Sequence, residues 1–268
     1  MTPLDIDGLR REFPDRQIEY YASIDSTMRV AASLELGAVV LAEEQTAGLG
    51  RNGHTWHSEA GSGIYCSMVL APSPVLTLAL GLAAQDAVAK STGIACDLRW
   101  PNDVMIADRK VAGILVQLSG AKAIAGIGIN VNHQSFPPEL AGEATSLSRE
   151  RMRAPWLTGR LTGESACPTD SPACGTGASA CQLIPREPIV VAFLRAADEY
   201  LAYDKAAILR LFAQASSYAA GRRIEVDQPG GVIRGVTGGL NPDGFLVVHT
   251  DDGTDTLIIA GGVRAAGS

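Results

Sequence analysis

Positive charge is in short supply in this chain. Its 22 Lys and Arg face 29 Asp and Glu, giving a formal net charge of −7. The cations form no stripe, so charge argues against a phosphate-backbone binder and no nucleic-acid partner is expected. Long apolar runs are also missing. The opening stretch "MTPLDIDGLRREFPDR" holds no segment of signal-peptide length. The most apolar helical stretch, "VLTLALGLAAQDAVAK", is interrupted by Gln85 and Asp86 and is too short to cross a bilayer. These absences predict a cytoplasmic protein with no membrane partner. Cysteine is sparse and odd in number, five in all, so a fully paired disulfide framework is excluded. Cys66 and Cys96 lie in apolar surroundings and read as buried free thiols.

What is present suffices for a core. The chain has 268 residues, 46% hydrophobic and 19% charged, which fits one large domain or a larger domain with a small partner. "QIEYYASIDS" reads as a short strand, and residues 26–36 read as a helix with Ser26 or Thr27 as its N-cap. "AVVLAEE" and "GIYCSMVLA" read as strands and residues 75–91 as a long Ala- and Leu-rich helix. "CDLRW", "DVMIA", "KVAGILVQLSG" and "KAIAGIGINVN" then follow as strands joined by tight turns. The pattern predicts an α+β layer, with helices on one face of a mainly antiparallel sheet. Residues 189–218 give one or two helices. From Arg222 onward, short strands with Gly, Asp and Asn turns predict a small all-β barrel.

Residues 151–187 differ in character. Cys167, Cys174 and Cys181 recur every seven residues among Pro, Gly, Ser and Thr. Zinc sites usually pair cysteines two to four apart and add His, and a coiled coil needs apolar helix formers. A flexible surface insertion is the expectation, with no function assigned to it.

The chemistry concentrates in "EEQTAGLGRNGHTW", residues 43–56. Gly48, Gly50 and Gly53 let backbone approach a ligand, Arg51 offers a planar donor fork for phosphate or carboxylate, and Trp56 offers a flat face. "GLGRNG" matches G-x-G-x-x-G, but no βαβ unit follows and no G-K-[ST] is present. Taken alone, the loop leaves an ordinary hairpin and an anion site both open. "RWPND" sets Asn102 and Asp103 at a turn, and "KVAGIL" brings Lys110 within reach of Asp103 across a hairpin. "GIGINVN" ends a strand with glycines and Asn130.

Together and in this order, "IDSTM", "EEQTAGLGRNGHTW", "RWPND", "KVAGIL", "GIGINVN" and "TSL" resemble the biotin–protein ligases, from about Tyr20 to the C-terminus and excluding residues 151–187. The resemblance implies a class II synthetase-like mixed or antiparallel sheet covered by helices, plus a small C-terminal SH3-like barrel. The corresponding division is an extension over 1–19, a catalytic domain over 20–219 and a barrel over 220–268. It implies biotin, ATP and Mg²⁺ carried with ATP, with no certain protein ligand for the metal. Biotin's carboxylate would attack the α-phosphate of ATP, and a lysine of a biotin carboxyl carrier domain would then attack the adenylate. Lys110, Arg51 and Asp103 fall at catalytic positions. Ser26, Thr27, Met28, Gln45, Leu49 and Gly50 fall at biotin-binding positions, together with Arg51 and Lys110. Gly48, Gly50, Arg51, Trp56, Asn102 and Asn130 fall near ATP.

Two departures stand out. Leu49 occupies a position where many relatives carry Arg, with His54 nearby as a partial substitute. About twenty residues precede the catalytic region, too few for a helix-turn-helix repressor domain, so a ligase without DNA binding, monomeric or weakly dimeric, is expected. The alternatives are a lipoate or octanoate ligase of the same fold and a non-catalytic biotin- or carrier-binding protein.

Overall fold

A computed structural model of the chain describes residues 3–153, 183–228 and 231–266. Seven strands form the larger sheet: β1 (Ile18–Tyr21), β2 (Val39–Ala42), β3 (Gly63–Leu70), β4 (Asp97–Arg99), β5 (Asp103–Ile106), β6 (Arg109–Ser119) and β7 (Lys122–Asn130). Their order is β1-β2-β3-β7-β6-β5-β4; β1 pairs with β2 in parallel and every other pairing is antiparallel. The meander β4 to β7 follows from short turns at "WPND", "ADRK" and "SGAK", where Gly120 and two residues of the β5–β6 turn, Ala107 and Asp108, take positive φ.

One face of this sheet carries α1 (Ile6–Glu12), α3 (Leu76–Thr92), α5 (Glu187–Leu201) and α6 (Lys205–Ala215). α3 buries most of its circumference because it lies between the sheet and the outer helices α5 and α6, and Asp86 and Lys90 pair near its C-terminal end. Gly93 ends it in the left-handed conformation at φ 71°, its N–H bonding Ala89 O at 2.9 Å. The helices do not all share that face, however. α2 (Thr27–Ala31) packs on the opposite one, where Met28 and Ala31 meet Val40, Val69 and Ile124. Strand alternation explains this, since neighbouring Val39, Leu41, Met68, Ala123 and Ala125 point to the main core. α2 is also shorter than the sequence pattern suggests, and the Ser26 side chain makes no capping bond.

β8 (Ala220–Gln228), β9 (Gly231–Leu240), β10 (Leu246–Thr250), β11 (Asp255–Ile258) and β12 (Val263–Ala265) build a second, five-stranded antiparallel sheet. It shares the main core through Ile224, Val226, Leu246 and Val248. A buried bond from Trp100 Nε1 to Gly244 O, 2.9 Å, fastens its β9–β10 turn to the "RWPND" turn. Trp100→Phe keeps an aromatic ring, though a smaller one, and strands that carbonyl. We expect a loss of about 1–3 kcal/mol, read as a lower urea midpoint at unchanged slope.

The edges of the 151–187 stretch belong to the fold. Arg151–Arg153 complete α4 (Leu147–Arg153), Ile184 is buried, and Arg186 Nη1 reaches Glu43 Oε2 at 2.8 Å and Gly63 O at 3.0 Å. Burial alone would raise the Glu43 pKa. The bonds from Arg186 and from Leu4 N–H instead hold it below the usual glutamate value. Residues 154–182, with Cys167, Cys174 and Cys181, lie outside the described residues. Cys66 and Cys96 are free thiols, both pushed up to about 12 by burial.

Candidate active site

The glycine-rich stretch is both a hairpin and a site wall. Leu49 bridges Thr55, Trp56 N–H bonds Gly48 O at 2.9 Å, and a single 3₁₀ turn over Arg51–Gly53 reverses the chain. Gly50 is required by close approach, because a Cβ there would lie 2.9 Å from His54 O; Gly53 is required by its φ of 78°. Gly48 lines neither cavity of the site. Its Cβ would lie 2.6 Å from Trp56 O, so it serves the hairpin's own closure.

Two cavities meet at this hairpin. The smaller, about 40 Å³, is floored by glycines of β6 and β7. Gly113 and Gly128 are paired across the strands, and Gly126 lies two residues along on the same face. Side chains fill the space these glycines leave: a Cβ on Gly126 would lie 2.7 Å from Met28 Sδ, and one on Gly128 would lie 2.3 Å from Trp56 Cε2. Met28, Leu49 and Trp56 therefore furnish the apolar wall. Gln45 is locked as the polar one. Its Oε1 accepts from Thr27 N–H (2.9 Å) and Thr27 Oγ1 (3.0 Å), and its Nε2 donates to Ser58 Oγ (3.0 Å). Ser67 Oγ then completes Thr27 Oγ1 at 2.8 Å. The buried Ser26 Oγ, which has no hydrogen-bond partner among the described residues, also lines this cavity.

The larger cavity is a cleft of about 540 Å³ between the hairpin, the "RWPND" turn, the stretch after β7 and the second sheet. Asn130, His54, Arg99 and Asp103 border it, and Asp227, Gly261 and Gly262 close it from the second sheet. Gly50, Arg51, Trp56, Asn102 and Lys110 line both cavities, so the junction carries two cations. Arg51 Nη1 donates to Asn102 Oδ1 at 2.8 Å, and Asn102 Nδ2 donates to Ile114 O at 3.0 Å. Lys110 Nζ lies 2.5 Å from Asp103 Oδ1 and 5.2 Å from the Trp56 ring. Asp103 Oδ2 accepts from Arg99 Nη2 at 2.7 Å. Burial pushes the Asp103 carboxyl up, but Lys110 and Arg99 outweigh it and hold the pKa below the usual aspartate value.

Of the loop and turn residues singled out in the sequence, Gly48 and Gly53 line neither cavity, and the others are brought to one place. Leu49 faces the apolar cavity, packed with Met28 and Val40, and not the cleft; His54 is exposed at the cleft's edge. Sequence reading missed Gly113, Gly126 and Gly128 as a floor. The available signal was glycine at period two in a buried strand, "AGIGIN", which marks close approach to a ligand or side chain. Gly128→Ala drives a methyl into a rigid indole. We expect about 1–3 kcal/mol of destabilisation in chemical denaturation.

A slot with one apolar and one polar wall thus opens onto a polar cleft, with two cations at the junction. The family model for the biotin/lipoate A/B protein ligase family matches residues 20–133. Over 160 residues the chain is 39% identical to the bifunctional ligase/repressor BirA of Bacillus spizizenii, a match taking in 53% of this chain and 49% of that protein. The chain spans about half the length of that relative and of its Bacillus subtilis counterpart. It is 29% identical over 282 residues to the biotin–[acetyl-CoA-carboxylase] ligase of Mycobacterium tuberculosis, covering 97% of this chain and 94% of that one. The structure of the biotin protein ligase from Aquifex aeolicus in complex with biotin and ATP superposes with a TM-score of 0.74 at 27% identity, covering 93% and 99% of the two chains. Residues 20–133 thus carry a domain similar to those of the biotin/lipoate A/B protein ligase family.

Proposed function

We propose that this protein is an ATP-dependent biotin–protein ligase, which activates biotin as biotinyl-5′-AMP and transfers it to a lysine of a carboxylase's biotin carrier domain. The observation that carries this reading is the shared lining of the two cavities. An acid in the glycine-floored slot and a nucleotide in the cleft would meet at Arg51 and Lys110. Two anions must approach for the first step, and fixed cations at that point offset their repulsion. The carboxylate oxygen bonds to the α-phosphorus as pyrophosphate leaves. The carrier amine then bonds to the acyl carbon as AMP leaves. No protein nucleophile is needed, which suits a site whose only thiol among the described residues, Cys66, is held protonated by burial.

Gln45, oriented by Thr27 and Ser58, serves the polar head group, and Met28, Leu49 and Trp56 its apolar surface. Mg²⁺ would arrive on the nucleotide and be held chiefly by phosphate. The test is pyrophosphate release from Mg-ATP with biotin, lipoate or octanoate and no carrier present. Release with biotin alone supports the proposal. Release only with lipoate or octanoate assigns the chain to a sibling activity, and binding of biotin without release makes it a non-catalytic binder.

A further inference from the structure

Beside the cleft, outside the acyl slot, stands a second polar cluster. His57 follows directly on Trp56, Glu59 lies two residues on, and His133 comes just after β7. Each offers a ligand atom, and these atoms lie within 4.8 Å of one another. His57 and His133 have ring centroids 5.6 Å apart, and Phe136 stacks on His133 at 5.3 Å.

The hydrogen bonds fix how His133 is protonated. Its side chain is wholly buried, and its Nε2 lies 3.1 Å from Tyr65 Oη. The single hydroxyl proton of Tyr65 is donated to Glu59 O at 2.8 Å. Tyr65 can therefore only accept from His133, so Nε2 carries the imidazole proton. That leaves Nδ1 as a bare lone pair. It is buried and meets no donor among the described residues. An acceptor stripped of water without a donor is costly, and His133 shares its cluster with a second imidazole and a carboxylate. Neutral imidazole with its far N–H held by an oxygen is the state in which His binds a metal.

We infer that His57, Glu59 and His133 form a binding site for a borderline divalent transition metal such as Zn²⁺, with Tyr65 as the positioning residue that fixes the His133 tautomer. Two imidazoles and one carboxylate suit Zn²⁺ and leave a fourth position to solvent. Tetrahedral Zn²⁺ spaces its ligand atoms about 3.3 Å apart, so the site must tighten on loading. The exposed Glu59 and half-buried His57 have the freedom to move. A cation there joins residues 57–59 to the end of β7. Residues 56 and 58 of that same stretch supply Trp56 to both cavities and Ser58 to Gln45. The site thus braces one wall of the ligase cleft.

The test is Zn²⁺ binding by the full chain after chelator treatment, read by titration calorimetry and by the rise in melting temperature. A second preparation carries Cys167→Ser, Cys174→Ser and Cys181→Ser, to remove thiolate ligands. We expect one equivalent in both preparations, with a thermal rise in each. His57→Ala and Glu59→Gln, which alter exposed or half-buried groups, should each weaken binding about tenfold or more. Tyr65→Phe should also weaken it about 10–100-fold, because it frees His133 to place its proton on Nδ1. In Co²⁺-loaded protein the visible spectrum should lack thiolate charge transfer. No binding, binding lost with the three Cys→Ser changes, or binding untouched by His57→Ala would overturn the inference. None of these readouts depends on ligase activity, so failure of the metal site and failure of the ligase reading are separable.

Discussion

Lys110→Ala is expected to slow biotin-dependent pyrophosphate release by about 10³-fold, the scale of losing one preorganised charge-stabilising donor. The structure explains both the size of the effect and why the fold should survive it. Lys110 is the second residue of β6, where its N–H bonds Glu143 O at 2.7 Å and its carbonyl accepts from Thr145 N–H at 2.9 Å. Its backbone is therefore fixed, while Asp103 and the Trp56 face fix its ammonium. A cation held in this way is not reorganised when charge builds on an α-phosphate beside it. Removing the side chain leaves Asp103 paired with Arg99, so no buried carboxylate is orphaned. Because the folded Asp103 pKa is depressed, its contribution to stability is present above the ordinary aspartate range. It is lost as pH falls through the lowered value, so the Asp103–Lys110 pair persists across the working range. Lys110→Arg should rescue poorly, since a guanidinium fork does not occupy the space of a point charge. The measurement is single-turnover adenylate formation beside a circular dichroism spectrum. Adenylation at near wild-type rate with intact structure would remove Lys110 from the role proposed for it.

The order of elements was legible because each strand of the β4–β7 meander is bounded by turn residues and each helix by a change of period. What the sequence hid was the second face. "STMRVAASLEL" has the composition of a longer helix, but α2 stops at Ala31 and lies across from α3, a placement decided by which face of β2, β3 and β7 has room. Propensity carries no information about that. The candidate site was legible only through the order of its motifs: the segments of Arg51, Asn102, Asp103 and Lys110 each also read as plain hairpin, turn or strand edge, and Gln45 stood out only through the family resemblance. The glycine floor was harder, since Gly113, Gly126 and Gly128 are defined by what packs over them, Trp56 and Met28 from distant segments. Leu49 shows the same limit. Sequence alone registered a missing cation, whereas the structure shows a side chain on the apolar wall. The His57–Glu59–His133 group joins two segments some seventy-five residues apart, and no spacing rule would have linked them.

Arg51→Ala should act after the chemistry as well as during it: adenylate formed in the slot should escape to solvent about 100-fold faster. Arg51 does two things in this structure. It places a permanent cation where both cavities meet, and its bond to Asn102, itself anchored on Ile114 O, latches the 3₁₀ turn of the hairpin onto β6. Losing a charged hydrogen bond in an enclosed site is worth about 2–5 kcal/mol, and 100-fold corresponds to about 2.7 kcal/mol. The two contributions can be separated. Asn102→Ala removes the latch but keeps the cation, so it should raise escape by a smaller factor, whereas Arg51→Lys keeps charge and loses the planar fork. The readout is biotinyl-5′-AMP recovered in a filtrate after reaction with Mg-ATP and biotin, set against total pyrophosphate. If Arg51→Ala retained the adenylate as wild type does, the latch would be incidental, and retention would have to rest on Trp56 and the glycine-floored slot. If Asn102→Ala leaked as much as Arg51→Ala, retention would be a property of hairpin closure and not of charge. The 2.8 Å bond would then matter more than the cation that makes it.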